Sequence, residues 1–266
     1  MGDTYTHGHH ASVLRSHRWR TAENSAGYLL PHLRAGQRLL DVGCGPGTIT
    51  LDLAGRVAPG QVLGLDASAD VIAQAEATRS ERRVEGVTFA VGDAYALDLP
   101  DASVDVVHAH QVLQHLRDPV AALREWRRVL GPGGVLAARD SDYSSFSWAP
   151  ADPQLDRWLE LYHQLTRLNE AEADAGRYLL GWARQAGFTD VTATSSTWTY
   201  ADPESRAWWG GLWADRVLES SYATQALAAG LSDRAELESI ATAFRRWAAA
   251  PDGSFAVPSG EILAIR

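Results

Sequence analysis

Residues 39–50 read LLDVGCGPGTIT, and this stretch decides the fold: an apolar strand enters a turn carrying Gly43, Gly45 and Gly47, and a helix opens directly behind it. Glycine lets a backbone pass close to a ligand, and the first helical turn presents N–H groups without intrahelical partners and a partial positive charge. A carboxylate or a nucleoside suits such a turn. The spacing is GxGxG, with Thr48 where the dinucleotide-binding GxGxxG pattern has its last glycine, and that departure counts against NAD.

Working outward, short apolar runs alternate with amphipathic stretches, the pattern of βαβ units around a parallel sheet. Strands are predicted at 38–42, 61–66, 87–91, 104–108 and 135–139, with helices at 48–57, 69–79 and 119–130 between them. The run Gly131-Pro132-Gly133-Gly134 should end the last helix and turn the chain into the fifth strand. Beyond residue 140 helices dominate. Leu155, Trp158, Leu159, Tyr162 and Leu165 form one apolar stripe, and Leu237, Ile240, Ala241, Phe244 and Trp247 another. Asp202 followed by Pro203 is the start signal of a helix carrying Trp209, Leu212, Trp213 and Val217. Strands at 191–200 and 260–266 bracket these helices. With no internal repeat or linker, one domain is expected over 1–266: an N-terminal helical lid segment at 1–37, a core at 38–140, and a second half at 141–266 with a helical insertion at about 203–250.

Composition narrows the chemistry. Hydrophobic residues make up 45% and charged residues 21% of 266 positions, enough apolar matter for a sizeable core. The net charge of -9 disfavours a nucleic-acid partner. Arg15, Arg18 and Arg20 read as a solvated helix face. The chain has no lysine, so Schiff-base chemistry and the phosphate-binding P-loop are excluded. Cys44 is the single cysteine, which excludes an internal disulfide and a CxxC pair and fits a reducing cytoplasm. Neither an export signal nor a membrane span is legible. The histidines and carboxylates show no convincing metal-ligand spacing.

The glycine turn is followed in order by VLGLDAS, VGDAYALDLPDASVD, DVVHAHQVLQHLRDP and GPGGVLAARD. Together, over roughly residues 38–140, these motifs resemble class I S-adenosylmethionine-dependent methyltransferases, most closely the ubiquinone/menaquinone-biosynthesis type. The resemblance implies a Rossmann-like α/β fold with a mostly parallel seven-stranded sheet, helices on both faces and a helical insertion near the C-terminus. It implies S-adenosylmethionine as cofactor, S-adenosylhomocysteine as product, and methyl transfer to a small organic molecule. It places Asp41, Gly43, Gly45 and Gly47 at the cofactor, Asp66 and Ala67 at its ribose, Asp93 and Ala94 at its adenine, and Gln111 beside it.

The acceptor is expected beyond the fourth and fifth strands, where His108, His110 and His115 fall. His110, with His115 in reserve, is the candidate base, and a near-neutral pKa would suit a hydroxyl, phenol or acidic carbon. His110 stands where amino-methylating relatives carry the first residue of their (N/D)PPY motif, which this chain lacks. Tyr5, His7, His9 and His10 belong to the lid segment. Trp208, Trp209 and Trp213 either pack in a core or line an apolar or aromatic acceptor pocket. Two alternatives stay open: a protein of the same fold that binds the cofactor without methyl transfer, and an NAD-dependent oxidoreductase.

Overall fold

Residues of both parities are buried along the first and fourth strands, as the centre of a parallel sheet covered by helices requires, whereas the third, at the edge, leaves Thr88 and Val91 exposed. The computed structural model describes Thr6 and residues 16–266. Tyr5, His7, His9, His10 and Arg15 lie outside the described residues. The strands are β1 (Leu39–Val42), β2 (Val62–Asp66), β3 (Val87–Val91), β4 (Val104–His110), β5 (Leu130–Ser141), β6 (Ser147–Ala149), β7 (Asp190–Tyr200) and β8 (Ser254–Ile265). The helices are α1 (Ala22–Ser25), α2 (Thr48–Val57), α3 (Ala69–Arg82), α4 (Pro119–Val129), α5 (Pro153–Leu168), α6 (Ala175–Gln185), α7 (Pro203–Glu219), α8 (Ser221–Ala228) and α9 (Arg234–Ala249).

Strands β3, β2, β1, β4 and β5 run parallel in that spatial order, with Leu40 beside Val107 and Asp41 beside His108. Alternation along β1 and β4 sends Leu39 and Val106 to one face, against Ile49 and Leu53 of α2 and Ala75 of α3. Leu40 and Val107 go to the other, against Trp126 of α4 and Leu179 of α6. The chain thus has the Rossmann-like α/β architecture expected of it. Because neighbouring strands lead away on either side of β1 and β4, a crevice opens beyond their carboxyl ends, the place where such sheets bind ligands.

The sheet has eight strands rather than seven. The additional one, β6, is three residues long and pairs antiparallel with the start of β8 at Trp148 and Phe255; three residues before Pro150 are too few to show an alternation. Strand β8 also starts earlier than the expected 260, at Ser254, and lies antiparallel to both β5 and β7. The Gly131–Gly134 run does not turn the chain ahead of β5. It lies inside the strand, whose register against β4 shifts between Leu130–Val104 and Val135–Val106, and Gly133 takes φ +74°. Four residues on β5 lie between those two pairings where one, Asp105, lies between them on β4, so the flexible glycines relieve a bulge.

Between β7 and β8, helices α7, α8 and α9 pack with α5 around a second apolar core. The helix start at Asp202 is as expected: its carboxylate accepts from the Glu204 and Ser205 N–H groups, at 3.1 and 2.9 Å. Trp158 meets Trp213 edge-on at 4.5 Å between ring centres, and Trp213 stacks on Phe244 at 5.9 Å. Among the described residues no helix is long and apolar enough to cross a membrane.

Candidate active site

A cavity of about 810 Å³ opens beyond the carboxyl ends of β1, β2 and β4, within the size range of small-ligand sites. One end is backbone and carboxylate. Gly43 (φ +67°) and Gly45 (φ +56°) line it in conformations that L side chains rarely adopt. A Cβ on Gly43 would stand 2.4 Å from Val112, whereas one on Gly45 would meet only His17 Nδ1 at 3.8 Å, so Gly45 leaves its space open. Gly47 differs from its sequence reading. It is absent from the cavity lining, ends the turn at φ +81°, and faces Phe89, which an added Cβ would approach to 2.7 Å.

Asp66, at the end of β2, is tied into this loop: Oδ2 accepts from the Gly45 N–H at 3.2 Å and Oδ1 from the Ser68 N–H at 3.0 Å. Each carboxylate oxygen keeps a further lone pair for a ligand. Asp93 Oδ1 accepts from the Tyr95 N–H at 2.9 Å. Ala67 and Ala94 line the cavity beside these carboxylates, and the Ala94 carbonyl also accepts from the Trp126 indole at 3.0 Å. Asp41 borders the cavity, yet both its oxygens are engaged from within the fold, by Thr50 Oγ1 at 2.5 Å and by His108 Nδ1 at 2.7 Å. His108 is therefore part of a buried brace rather than of the acceptor side.

The opposite end is built of rings. Trp198 and Tyr200 from β7, Trp208, Trp209 and Trp213 from α7, and Tyr143 after β5 all line it. The tryptophans of α7 do both things considered for them, since Trp209 and Trp213 also belong to the second apolar core. Ser16, His17, Trp19 and Arg20 also line the cavity. Thr48 Oγ1 donates to the His17 carbonyl at 3.2 Å, Arg216 donates to Ser16 Oγ at 3.0 Å, and Trp19 sits 5.3 Å from Trp198 and 5.4 Å from Trp208. Arg20 donates to Gln111 Oε1. The expected solvated face is corrected here: Arg18 is exposed, but Arg20 is half-buried in the cavity wall because Gln111 and the Trp198 ring draw it inward.

His110 ends β4 and Gln111 follows it, both lining the cavity. Gln111 takes φ +56°, unusual for a residue with a side chain and typical of strained site positions. Its N–H donates to the Arg139 carbonyl at 2.7 Å and its amide to Ser141 Oγ at 2.7 Å. His110 is 5% exposed and lies 5.7 Å from Trp198, and among the described residues neither of its ring nitrogens has a hydrogen-bond partner. Burial, reinforced by Arg20 and Arg139, holds its pKa well below the ordinary histidine value of 6.5. The near-neutral pKa expected of it is thus overturned. His115, in a short 3-10 turn, is pushed down to about 3 by burial and then by Arg20. Burial also raises the Cys44 thiol far above its ordinary value, which leaves it inert as a nucleophile. Among the described residues no three His, Cys, Asp or Glu side chains gather as a metal-binding group.

A family model described as a methyltransferase domain matches residues 33–198, from before the glycine turn to the indole of β7. The chain belongs to that family. Its cofactor is S-adenosylmethionine and its reaction is methyl transfer. An uncharacterized methyltransferase of Schizosaccharomyces pombe is 34% identical over 97% of this chain and 95% of its own length. A probable methyltransferase of Aspergillus luteorubrus is 29% identical over 98% and 97%. Among solved structures, the YcgJ protein of Bacillus subtilis covers 92% of this chain and 98% of its own at a TM-score of 0.60 and 22% identity, a likeness of fold.

Sequence reasoning missed Trp198, Tyr200, Arg20, Tyr143 and Arg216 as cavity residues. The i, i+2 spacing of Trp198 and Tyr200 was the available signal, because alternate strand residues share a face.

Proposed function

We propose that the two ends of this cavity divide the reaction between them: the loop end receives S-adenosylmethionine, and the ring-lined end receives a small organic acceptor. The observation that supports this most strongly is continuity, since one cavity touches Gly43, Gly45, Asp66 and Asp93 on one side and Trp198, Tyr200 and Trp208 on the other. The residues fit the cofactor. Gly45 leaves backbone accessible for its amino-acid end, Asp66 offers two oriented oxygens to the ribose hydroxyls, and Asp93 with Ala94 stands beside the adenine. Gln111 closes the wall between the two ends, while Asp41 and Gly47 support the turn from behind.

When bound, the cofactor supplies an electrophilic methyl group on a positively charged sulfur. The chain's own contribution is alignment and exclusion of water, which are worth more to an in-line displacement than a base is. The aromatic walls and residues 16–20 enclose the acceptor, and His110 offers it a neutral imidazole as hydrogen-bond partner. We read the whole chain as one catalytic unit in which residues 1–37 act as the lid, and the wording of its motifs favours the ubiquinone/menaquinone-type subgroup. Calorimetry with S-adenosylhomocysteine tests the assignment: binding is expected, none is expected with NAD, and an absence of heat with S-adenosylhomocysteine would refute it.

A further inference from the structure

Strand β7 pairs with β8 and forms an edge of the sheet, and its Trp198, which lines the cavity, is only half-buried. An indole turns about its side-chain bonds, so strand pairing by itself does not fix the plane of this ring. An ion pair lies behind it. Arg139, 0% exposed, and Glu261, 6% exposed, stand in register across β5 and β8, with His110 beside Arg139 on β4 and Thr194 beside Glu261 on β7. Residues in register share a face of the sheet, and Ser196 and Trp198 follow Thr194 on that face at alternate positions.

The Arg139 Nε lies 3.3 Å from a Glu261 oxygen and donates to Ser196 Oγ at 3.1 Å. Ser196 Oγ in turn donates to Glu261, whose other oxygen accepts from Thr194 Oγ1 at 2.9 Å. Nη1 and Nη2 of Arg139 donate to no group among the described residues. The guanidinium instead covers the indole: its carbon stands 4.4 Å from the Trp198 ring centre, against 5.8 Å for Arg20, well within cation–π reach. Trp198 lines the cavity and Arg139 does not, so the cation backs the ring from the protein side. The rim of the ring is held as well, because its Nε1 donates to the Asn24 carbonyl at 2.7 Å.

A buried ion pair seldom stabilises a fold more than well-packed apolar side chains of the same volume. Burial disfavours the charge on Arg139, and Glu261 opposes this most, with further help from Tyr28 and Asp140. Asp140, next along β5, belongs to the other face, where its Oδ1 accepts from the Gln114 N–H at 3.1 Å. Stability alone thus gives little reason for an arginine here. A ring that must be held still in a cavity wall gives one.

We propose that Arg139 and Glu261 are positioning residues of the acceptor end: the buried pair fixes the plane of Trp198, and Trp198 so held sets how the acceptor lies against the wall. This rests on the assignment of the cavity's two ends made above.

The test uses the full chain loaded with S-adenosylhomocysteine, its binding checked by calorimetry, and N-phenyl-1-naphthylamine, a neutral compound that brightens in apolar surroundings, as probe of the ring-lined end. Trp198→Leu is expected to weaken the probe; unchanged affinity would overturn the ring-lined end as its seat and this inference with it. Arg139→Met combined with Glu261→Met replaces the ion pair by apolar side chains of similar volume. That paired variant should keep the unfolding midpoint and the S-adenosylhomocysteine affinity close to the parent's and weaken the probe by about fivefold, the scale of one cation–π contact. Adding Trp198→Leu to it should weaken the probe no further than Trp198→Leu alone, because the pair acts through the ring. Parental probe affinity in the paired variant, or losses that simply add in the triple one, overturns the inference and leaves the pair a structural one. Should the paired variant fail to fold, Arg139→Lys decides, since it keeps the charge and loses the planar guanidinium: weaker probe binding supports the inference, and parental binding overturns it. No heat with S-adenosylhomocysteine overturns the division of the cavity and this inference with it.

Discussion

The two ends of the cavity are made of different materials. At the loop end, backbone N–H groups and carboxylates are set by the ends of parallel strands, and Asp66 holds Gly45 while Gly45 keeps its Cβ space open. At the other end the walls are large side chains contributed by β7, α7 and residues 16–20, which are far apart in sequence. A cofactor shared by a family calls for one fixed arrangement of backbone, and short motifs encode that. An acceptor calls for shape and charge, and side chains on an inserted helical layer can vary these without disturbing the sheet. The difference implies that the two ends can be damaged separately.

The largest expected effect sits in the helical layer. Trp213 is 1% exposed, edge-on to Trp158, and 4.6 Å below the Arg216 guanidinium. Trp213→Ala should cost about 3–5 kcal/mol in stability, measured by denaturant unfolding, because a buried indole leaves a cavity. The protein that remains folded should bind S-adenosylhomocysteine as the parent does; a parallel loss of affinity would show that the ends are not separable. The reciprocal change is Asp66→Ala. It should weaken S-adenosylhomocysteine by about 1.5–3 kcal/mol in calorimetry, the range for hydrogen bonds to a charged group, and leave unfolding nearly unchanged. Unaltered affinity would remove Asp66 from the ribose.

This division also explains what could be read from the sequence. Successive βα turns of a parallel sheet emerge on one edge, so Gly43, Gly45, Asp66 and Asp93 appear as local motifs in chain order and still meet in space. At the other end only the cluster Trp208, Trp209 and Trp213 is marked locally. Trp198 and Tyr200 read only as strand residues, and Arg20 reads as solvated until Gln111 and Trp198 are placed beside it. His110 could be singled out by position, but its proton affinity depends on Arg20 and Arg139, residues 90 and 29 positions distant by subtraction of their numbers. Strand β6 escaped because it is short, and the glycine run of β5 because a bulge and a turn favour the same residues.

A smaller effect sharpens the role of His110. As a neutral hydrogen-bond donor it should be partly replaced by glutamine, and His110→Gln is expected to lower kcat by about fivefold, the value of one hydrogen bond of about 1 kcal/mol. With its pKa well below 6.5, His110 protonates only in acid. The rate profiles of parent and variant, followed from pH 6 to 9, should therefore keep the same shape. A basic limb near neutrality that disappears in the variant, with a loss of about 10²–10⁴, would restore a general base.

The smallest effect concerns how the ring-lined end is fastened. His163 of α5 meets Asp174 at 3.1 Å, and Ser144, next to the cavity residue Tyr143, donates to the same carboxylate at 2.6 Å. The hydrogen bond that His163 donates to Asp174 raises the His163 pKa above 6.5, outweighing its partial burial. For Asp174, burial pushes the pKa up, but the bonds from His163 and Ser144 win and the net direction is down. A raised histidine contributes stability that is fully present below its unfolded value of 6.5 and lost as pH rises through its folded value. A lowered carboxyl contributes stability that is present above its unfolded value of 3.8 and lost as pH falls through its folded one. The pair should therefore stabilise most between about pH 4 and 6.5, by less than about 1 kcal/mol for a pair this close to solvent. Unfolding curves of parent and His163→Gln are expected to separate in that window and converge toward pH 9. S-adenosylhomocysteine affinity should not follow, because the loop end shares no residue with this clasp. A constant offset across the whole range would mean that His163 acts by packing alone, and a matching pH dependence of cofactor affinity would join the two ends that the rest of the structure keeps apart.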